Sequence, residues 1–412
     1  MRISRQRAGL RLALAAVMSL VLAEAGIASA YAETAREQQW HLDAMHAEEM
    51  WKTSTGKGVT VAVLDSGVDK EVADLRGQVL DGIDYSNKEG NEQTDLVNHG
   101  TQMAALIAAT GARGKNAGTY GLAPGAKVLP IRMPYDREGE MGLLPTLGEG
   151  KRAAKKMAVA IRFAADSEAK VINISMSGPT DHPELTAAVK YALDKGKLIF
   201  AAAGNDGEVR NALEYPAATP GVIGVAGVDR QAKSYKDSQW GPQVDLAAPA
   251  VDIVSACPNS EQLCKGNGTS MATALASASA ALLWSQHPDW TNYQVLRVLL
   301  QTASGNDKGL SRDDVIGYGV VRPRIALTEP GDPGPADEYP LPDLAAKAPA
   351  PSSSQPSKAA KDSAEPAAGP AASGDDDGDT ATVGIAIGAG AAVLLGAGVA
   401  VWAVRRRRSR TP

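Results

Sequence analysis

The chain predicts an α/β domain built on a mostly parallel sheet and flanked by tails. Three observations predict it. Apolar runs bounded by turn residues are continuous rather than alternating, as strands buried on both faces require. Helical stretches lie between several of those runs, the alternation that builds a parallel sheet. Apolar residues make up 44% of 412 residues, enough for a sizeable core, and with only two Phe that core must consist of Ala, Val, Ile and Leu.

The segment 33–52, rich in Glu, Gln, His and Trp, is too short to fold alone. The expected strands then follow: VTVAVLD ending at Asp65, KVLPIRM (127–133), KVINIS (170–175), KLIFAAAG (197–204), VIGVAGV (222–228) and VDIVSA (251–256). The expected helices are TQMAALIAAT after His99, AAKKMAVAIRFAADSEA before KVINIS, and ELTAAVKYALDKG before KLIFAAAG. Two late helices, around Ser270–Ser285 and Asn292–Ala303, complete a domain assigned to 53–328.

The ends read as targeting signals. MRISRQRAGLR is a positive n-region and LALAAVMSLVLA an apolar h-region. The A-x-A sites ending at Ala30 and Ala32 close a signal peptide over 1–32. From 329 to 382 the composition turns to Pro, Ala, Ser and Gly, a disordered linker that buries too little to fold. DDDGD within it lacks the spacing of a calcium loop, and no other metal or cofactor set is readable. Residues 383–404 carry no charge, and at about 1.5 Å per residue span roughly 30 Å, a bilayer's hydrocarbon core. The basic tail 405–412 follows, so the helix crosses the lipid bilayer once, with the domain on the extracellular side of the cell membrane and the C-terminus cytoplasmic.

The net charge of −5 hides an asymmetry. With four N-terminal and five C-terminal arginines set aside, and Glu24, 33 basic residues face 46 acidic ones. A body near −13 does not suit nucleic acid, whose binding runs on phosphate neutralisation. Cys257 and Cys264 are the only cysteines. Export favours a disulfide closing CPNSEQLC over two free thiols or a metal half-site lacking its other ligands.

Three segments carry chemistry. A buried strand delivers Asp65 at its C-terminal end, Asn98-His99-Gly100-Thr101 opens a helix, and Gly266-Asn267-Gly268-Thr269-Ser270-Met271-Ala272 opens another. Strand C-termini and helix N-termini of a parallel sheet converge on one edge, where such sheets bind ligands. A Ser hydroxyl is a poor nucleophile until a base takes its proton, and imidazole suits that near pH 7. A buried carboxylate fixes the imidazole's tautomer and stabilises the imidazolium. A Ser at a helix N-terminus also offers its own N–H to an oxyanion. Each segment alone reads as a turn, a cap or a loop; together they read as acyl transfer, in the chain order Asp, His, Ser of subtilisin.

VAVLDSGVD, NHGTQMAALIA and NGTSMATALAS resemble the three signature blocks of the subtilisin-like serine peptidases, and VINISMSG and AAAGNDG add two more. The resemblance covers 53–327. It implies a subtilisin-like three-layer α/β/α sandwich and an endopeptidase acting on protein or peptide substrates. Asp65, His99 and Ser270 would be its triad, and Asn205, with the Ser270 N–H, its oxyanion donors. Ser175, Met176, Ser177 and Gly178 would be the edge that pairs with substrate. Ala105 and Ala274 depart from the family, which usually has Gly and Pro there; neither position carries a reacting group. The signal, short N-terminal segment, linker, membrane helix and basic tail together resemble the mycosins, membrane-anchored subtilases of type VII secretion. That resemblance implies secretion components as membrane partners, an N-terminal segment that wraps the domain, and the loop Tyr135–Gly150 as an insertion near the cleft. It also carries two other readings, a structural subunit of a secretion complex and a general surface peptidase. A nucleotide-binding domain would need a Gly-rich turn after the first strand, where Asp65-Ser66-Gly67 stands.

Overall fold

The structure, a computed structural model, describes residues 33–135, 147–259, 261–305 and 311–346, all within one compact unit, Met1–Ala350. The expected signal peptide, membrane helix and basic tail, and the linker beyond 346, lie outside the described residues. Among the described residues no helix is long and apolar enough to cross a membrane.

A seven-stranded parallel sheet forms the centre, in the order β2-β3-β1-β4-β5-β6-β7. Its strands are β1 (Thr60–Asp65), β2 (Ile83–Asp84), β3 (Lys127–Arg132), β4 (Val171–Ile174), β5 (Leu198–Ala202), β6 (Ile223–Val228) and β7 (Leu246–Pro249). Alternate side chains enter different cores. Val61 and Val63 join one cluster and Ala62 and Leu64 another; Leu198 and Phe200 are likewise opposed by Ile199 and Ala201. This is why the runs read as nearly unbroken apolar stretches: strands buried on both faces leave few positions for polar residues.

One layer holds α3 (His99–Ala108), α6 (Thr269–Gln286) and α7 (Asn292–Gln301), and the other α4 (Leu147–Asp166) and α5 (Pro183–Asp194). The result is the α/β/α sandwich. Helix α6 is buried from Thr269 through Trp284, which its all-round apolar and small residues permit. It runs unbroken through the fully buried Ala274, so the alanine there continues a helix that a proline would interrupt. Ala105 is buried in α3, its methyl accommodated in the core.

Two expectations need correction. VDIVSA does not join the parallel sheet. Asp252 adopts a left-handed φ of 55°, and Ile253–Ser255 (β8) instead pairs antiparallel with Cys264–Gly266 (β9). The hairpin is closed by the Cys257–Cys264 disulfide, with sulfurs 2.02 Å apart. The chain also does not leave the domain at 329. Residues 329–346 lie along α7, where Arg297 donates to the carbonyls of Pro333 and Glu338, Gln294 to Gly334, and Thr291 to Ala336. A proline-rich strap lacks N–H donors but has carbonyls to satisfy, and the polar side chains of α7 meet them. Leu341 is buried beyond it, and Asp343 accepts from the Gly221 N–H at 2.6 Å.

The N-terminal segment lies on the same unit. It forms α1 (Trp40–Ala44) and α2 (Ala47–Met50). Gln39, fully buried, donates to the carbonyls of Tyr120 and Val254, Trp40 to Val251, and Trp51 to Leu122.

Candidate active site

The carboxyl ends of β1, β4 and β5 place the chemistry. Strand β1 ends on Asp65, fully buried; β4 is followed by Ser175, and β5 by Gly204-Asn205. His99 opens α3, and its Nδ1 lies 2.7 Å from Asp65 Oδ1. Backbone glycine makes that contact fit. A Cβ on Gly100 would stand 2.2 Å from the Gly67 carbonyl and 2.9 Å from Asp65 Cβ, so only glycine lets α3 start this close to β1. Asp65 Oδ1 also accepts from the Ser66 N–H at 2.7 Å.

Asp95, which the sequence reading passed over, organises the entry to α3. Its two oxygens accept from Ser66 Oγ, from the N–H groups of Val97, Asn98 and Thr101, and from Thr101 Oγ1, at 2.7–3.1 Å. Ser66 Oγ in turn accepts from the Gly100 N–H at 2.9 Å. Asn98 precedes the helix with a left-handed φ of 66° and no side-chain cap, so Asp95 supplies the acceptors that an N-cap would. Tyr135, the first residue of the expected cleft insertion, stacks on the His99 ring with centroids 5.2 Å apart. Residues 136–146 of that insertion lie outside the described residues.

Ser270 sits in the first turn of α6, behind Gly268 at φ 138°. Its Oγ donates to the Ser175 carbonyl at 3.3 Å, and Ser175 Oγ donates to the Ser270 carbonyl at 3.2 Å. A buried relay continues from there: Asn173 Nδ2 donates to Ser175 Oγ, and Ser277 Oγ to Asn173 Oδ1, at 3.1 and 3.0 Å. Asn173 was hidden inside an apolar strand run and Ser277 inside a helix of small residues. Asn205 Oδ1 accepts from the Thr269 N–H at 2.9 Å and from Thr269 Oγ1 at 3.2 Å. That fixes the amide beside the start of α6 and commits its oxygen, leaving the NH₂ as the group for a ligand.

The structure thus joins Asp65 to His99, Ser270 to Ser175, and Asn205 to the residue before Ser270. Along the expected substrate edge, Gly178 exchanges both backbone bonds with Tyr215, at 3.0 and 2.8 Å, and is spent on that bridge. Ser177 Oγ donates to Glu214. Burial pushes the Glu214 carboxyl up from its ordinary pKa; the Ser177 bond opposes this, and the nearby Asp206 adds to it.

Comparisons with known proteins agree with this architecture. The model of the subtilase family, peptidase S8, matches residues 56–319. The major intracellular serine protease of Bacillus subtilis (strain 168) is 35% identical over 246 residues, 58% of this chain and 72% of that protein. Mycosin-1 of Mycobacterium tuberculosis (strain ATCC 25618 / H37Rv) is 33% identical over 340 residues, covering 72% of this chain and 74% of the relative. Among solved structures, the MycP3 protease from the type VII (ESX-3) secretion system superposes with a TM-score of 0.61 at 33% identity, over 70% of this chain and 88% of that one. The chain belongs to the subtilase family and is a mycosin-like serine peptidase, an enzyme that hydrolyses peptide bonds.

Proposed function

We propose that the protein is a membrane-anchored extracellular endopeptidase in which Asp65, His99 and Ser270 form the triad. The observation that carries this reading is the 2.7 Å contact between His99 Nδ1 and buried Asp65, at the sheet edge where α6 presents Ser270. Asp65 holds the imidazole with Nδ1 protonated, so that Nε2 is the base. The Ser270 hydroxyl leaves the Ser175 carbonyl by rotation about χ1 and gives its proton to His99 Nε2 as Oγ bonds to the scissile carbonyl carbon. The oxyanion forms between the Asn205 amide and the Ser270 N–H, an N–H of the helix's first turn with no intrahelical acceptor. His99 then protonates the leaving amine, the C–N bond breaks, and water repeats the sequence on the acyl-enzyme.

The anchor rests on the uncharged stretch 383–404 and the arginines after it. The tie to type VII secretion rests on mycosin-1 and on the MycP3 protease described as part of such a system. Hydrolysis of a mixed peptide library by the full-length protein tests the enzymatic reading. Turnover that falls by about 10⁴-fold or more in Ser270→Ala supports it. Turnover that persists in that variant overturns it.

A further inference from the structure

Beside the expected substrate edge the chain places a carboxyl group that, among the described residues, no cation pairs with directly. Ser177, on that edge, donates to Glu214, which is itself half-buried. Gly204, immediately before Asn205, approaches the same carboxylate: a Cβ there would stand 3.2 Å from a Glu214 oxygen. Glu214 therefore lies between the edge meant to pair with substrate and the residue meant to hold the oxyanion. A side chain of the substrate residue before the cut has to enter between those two elements. The edge itself is uncrowded at Gly178, where a Cβ would meet nothing within 4 Å.

A buried amide packs behind that carboxyl. Gln239 is fully buried, with its backbone N–H on the Gly204 carbonyl at 3.0 Å and its Nε2 on the Ala212 carbonyl. That fixes the amide's orientation and leaves Oε1 without a partner among the described residues. Oε1 lies against Gly204, on the side where Glu214 also stands. Arg210, whose charge reaches Glu214, is itself bonded through Nε to Asp206 at 2.8 Å.

We infer that Glu214 is a specificity-determining residue that selects lysine or arginine as the substrate residue before the scissile bond, the cation pairing with its carboxylate. This rests on the peptidase reading and on the edge at 175–178. The competing arrangement is a protonated Glu214 that satisfies Gln239 itself, which would leave a pocket for small neutral side chains.

The test uses the full-length protein and fluorogenic peptides identical except for the residue before the cut: Lys, Arg, Leu, Ala or Gln. The inference expects kcat/KM for Lys and Arg at least ~10-fold above Leu and Ala, the scale of one buried charge pair. In Glu214→Gln the Lys-to-Leu ratio should fall by about 10-fold or more. A wild-type preference for Ala or Leu overturns the inference even where the variant does not fold, as does a ratio unchanged in a folded Glu214→Gln. Cleavage without basic preference sinks this inference alone. No cleavage of any peptide and no labelling of Ser270 by a fluorophosphonate sinks the peptidase reading and this inference together.

Discussion

At Asp95 one carboxylate accepts five hydrogen bonds and so sets where α3 begins, hence where His99 stands. Its replacement by Ala strands several donors at once. Asp95→Ala should lower stability by about 2–4 kcal/mol and slow peptide hydrolysis, read as a shift in the urea midpoint and a fall in kcat. Unchanged kcat in the folded variant would show that α3 finds its start without Asp95. Tyr135 stacks on the ring of the same histidine. A stacked aromatic contact is worth about 0.5–1.5 kcal/mol, so Tyr135→Ala should lower kcat/KM by roughly 3- to 10-fold. The sequence offered Asp65, His99 and Ser270 because each sits in a short motif whose residue types the reaction requires. Asp95 and Tyr135 gave no such signal: each works through a loop whose path only the assembled fold defines.

Between elements, the relay Ser277–Asn173–Ser175–Ser270 ties α6 to β4 through the buried core. Asn173→Leu removes the middle of it and strands Ser277 and Ser175. A loss of about 2–4 kcal/mol in unfolding free energy is expected, together with slower labelling of Ser270. The N-terminal segment makes a different prediction, one of pH. His41 is buried with both ring nitrogens unpartnered among the described residues. Burial, helped by the charge of Arg36, lowers its pKa to about 3 from an ordinary 6.5. The unfolded chain therefore binds the extra proton between those values. His41 contributes stability that is full above pH 6.5 and lost as pH falls toward 3. Unfolding midpoints measured from pH 7 to 4 should decline more steeply in the wild type than in His41→Gln; parallel curves would contradict the assignment. At this scale the apolar runs of β1, β3, β4, β5 and β6 were legible because burial on both faces writes itself into composition. Strand β7, Leu246–Pro249, was not, being four residues of Leu, Ala and Pro without a β-branched side chain. VDIVSA misled because its apolar residues serve a hairpin under loops, and apolarity does not specify pairing direction. The strap after Leu327 misled for the opposite reason: its proline-rich composition denies it a core, but it is held by carbonyl acceptors along α7.

For the whole molecule, the α/β/α sandwich brings residues far apart in sequence to one edge, and that edge carries the proposed triad. Its proposed membrane anchor and secretion role separate catalysis from scaffolding. In cells carrying the full chain, Ser270→Ala should abolish cleavage of exported proteins; secretion that continues in that variant would assign the secretion role to the body of the protein rather than to its chemistry. The most direct measurement of the central claim is reaction of the full-length protein with a fluorophosphonate, followed by peptide mapping. The account predicts a covalent adduct on Ser270 that is lost in His99→Ala and strongly slowed in Asp65→Ala, because the hydroxyl reacts only when the imidazole takes its proton and the carboxylate holds the imidazole. An adduct elsewhere, or one on Ser270 that forms equally fast without His99, would contradict a triad built from these three residues.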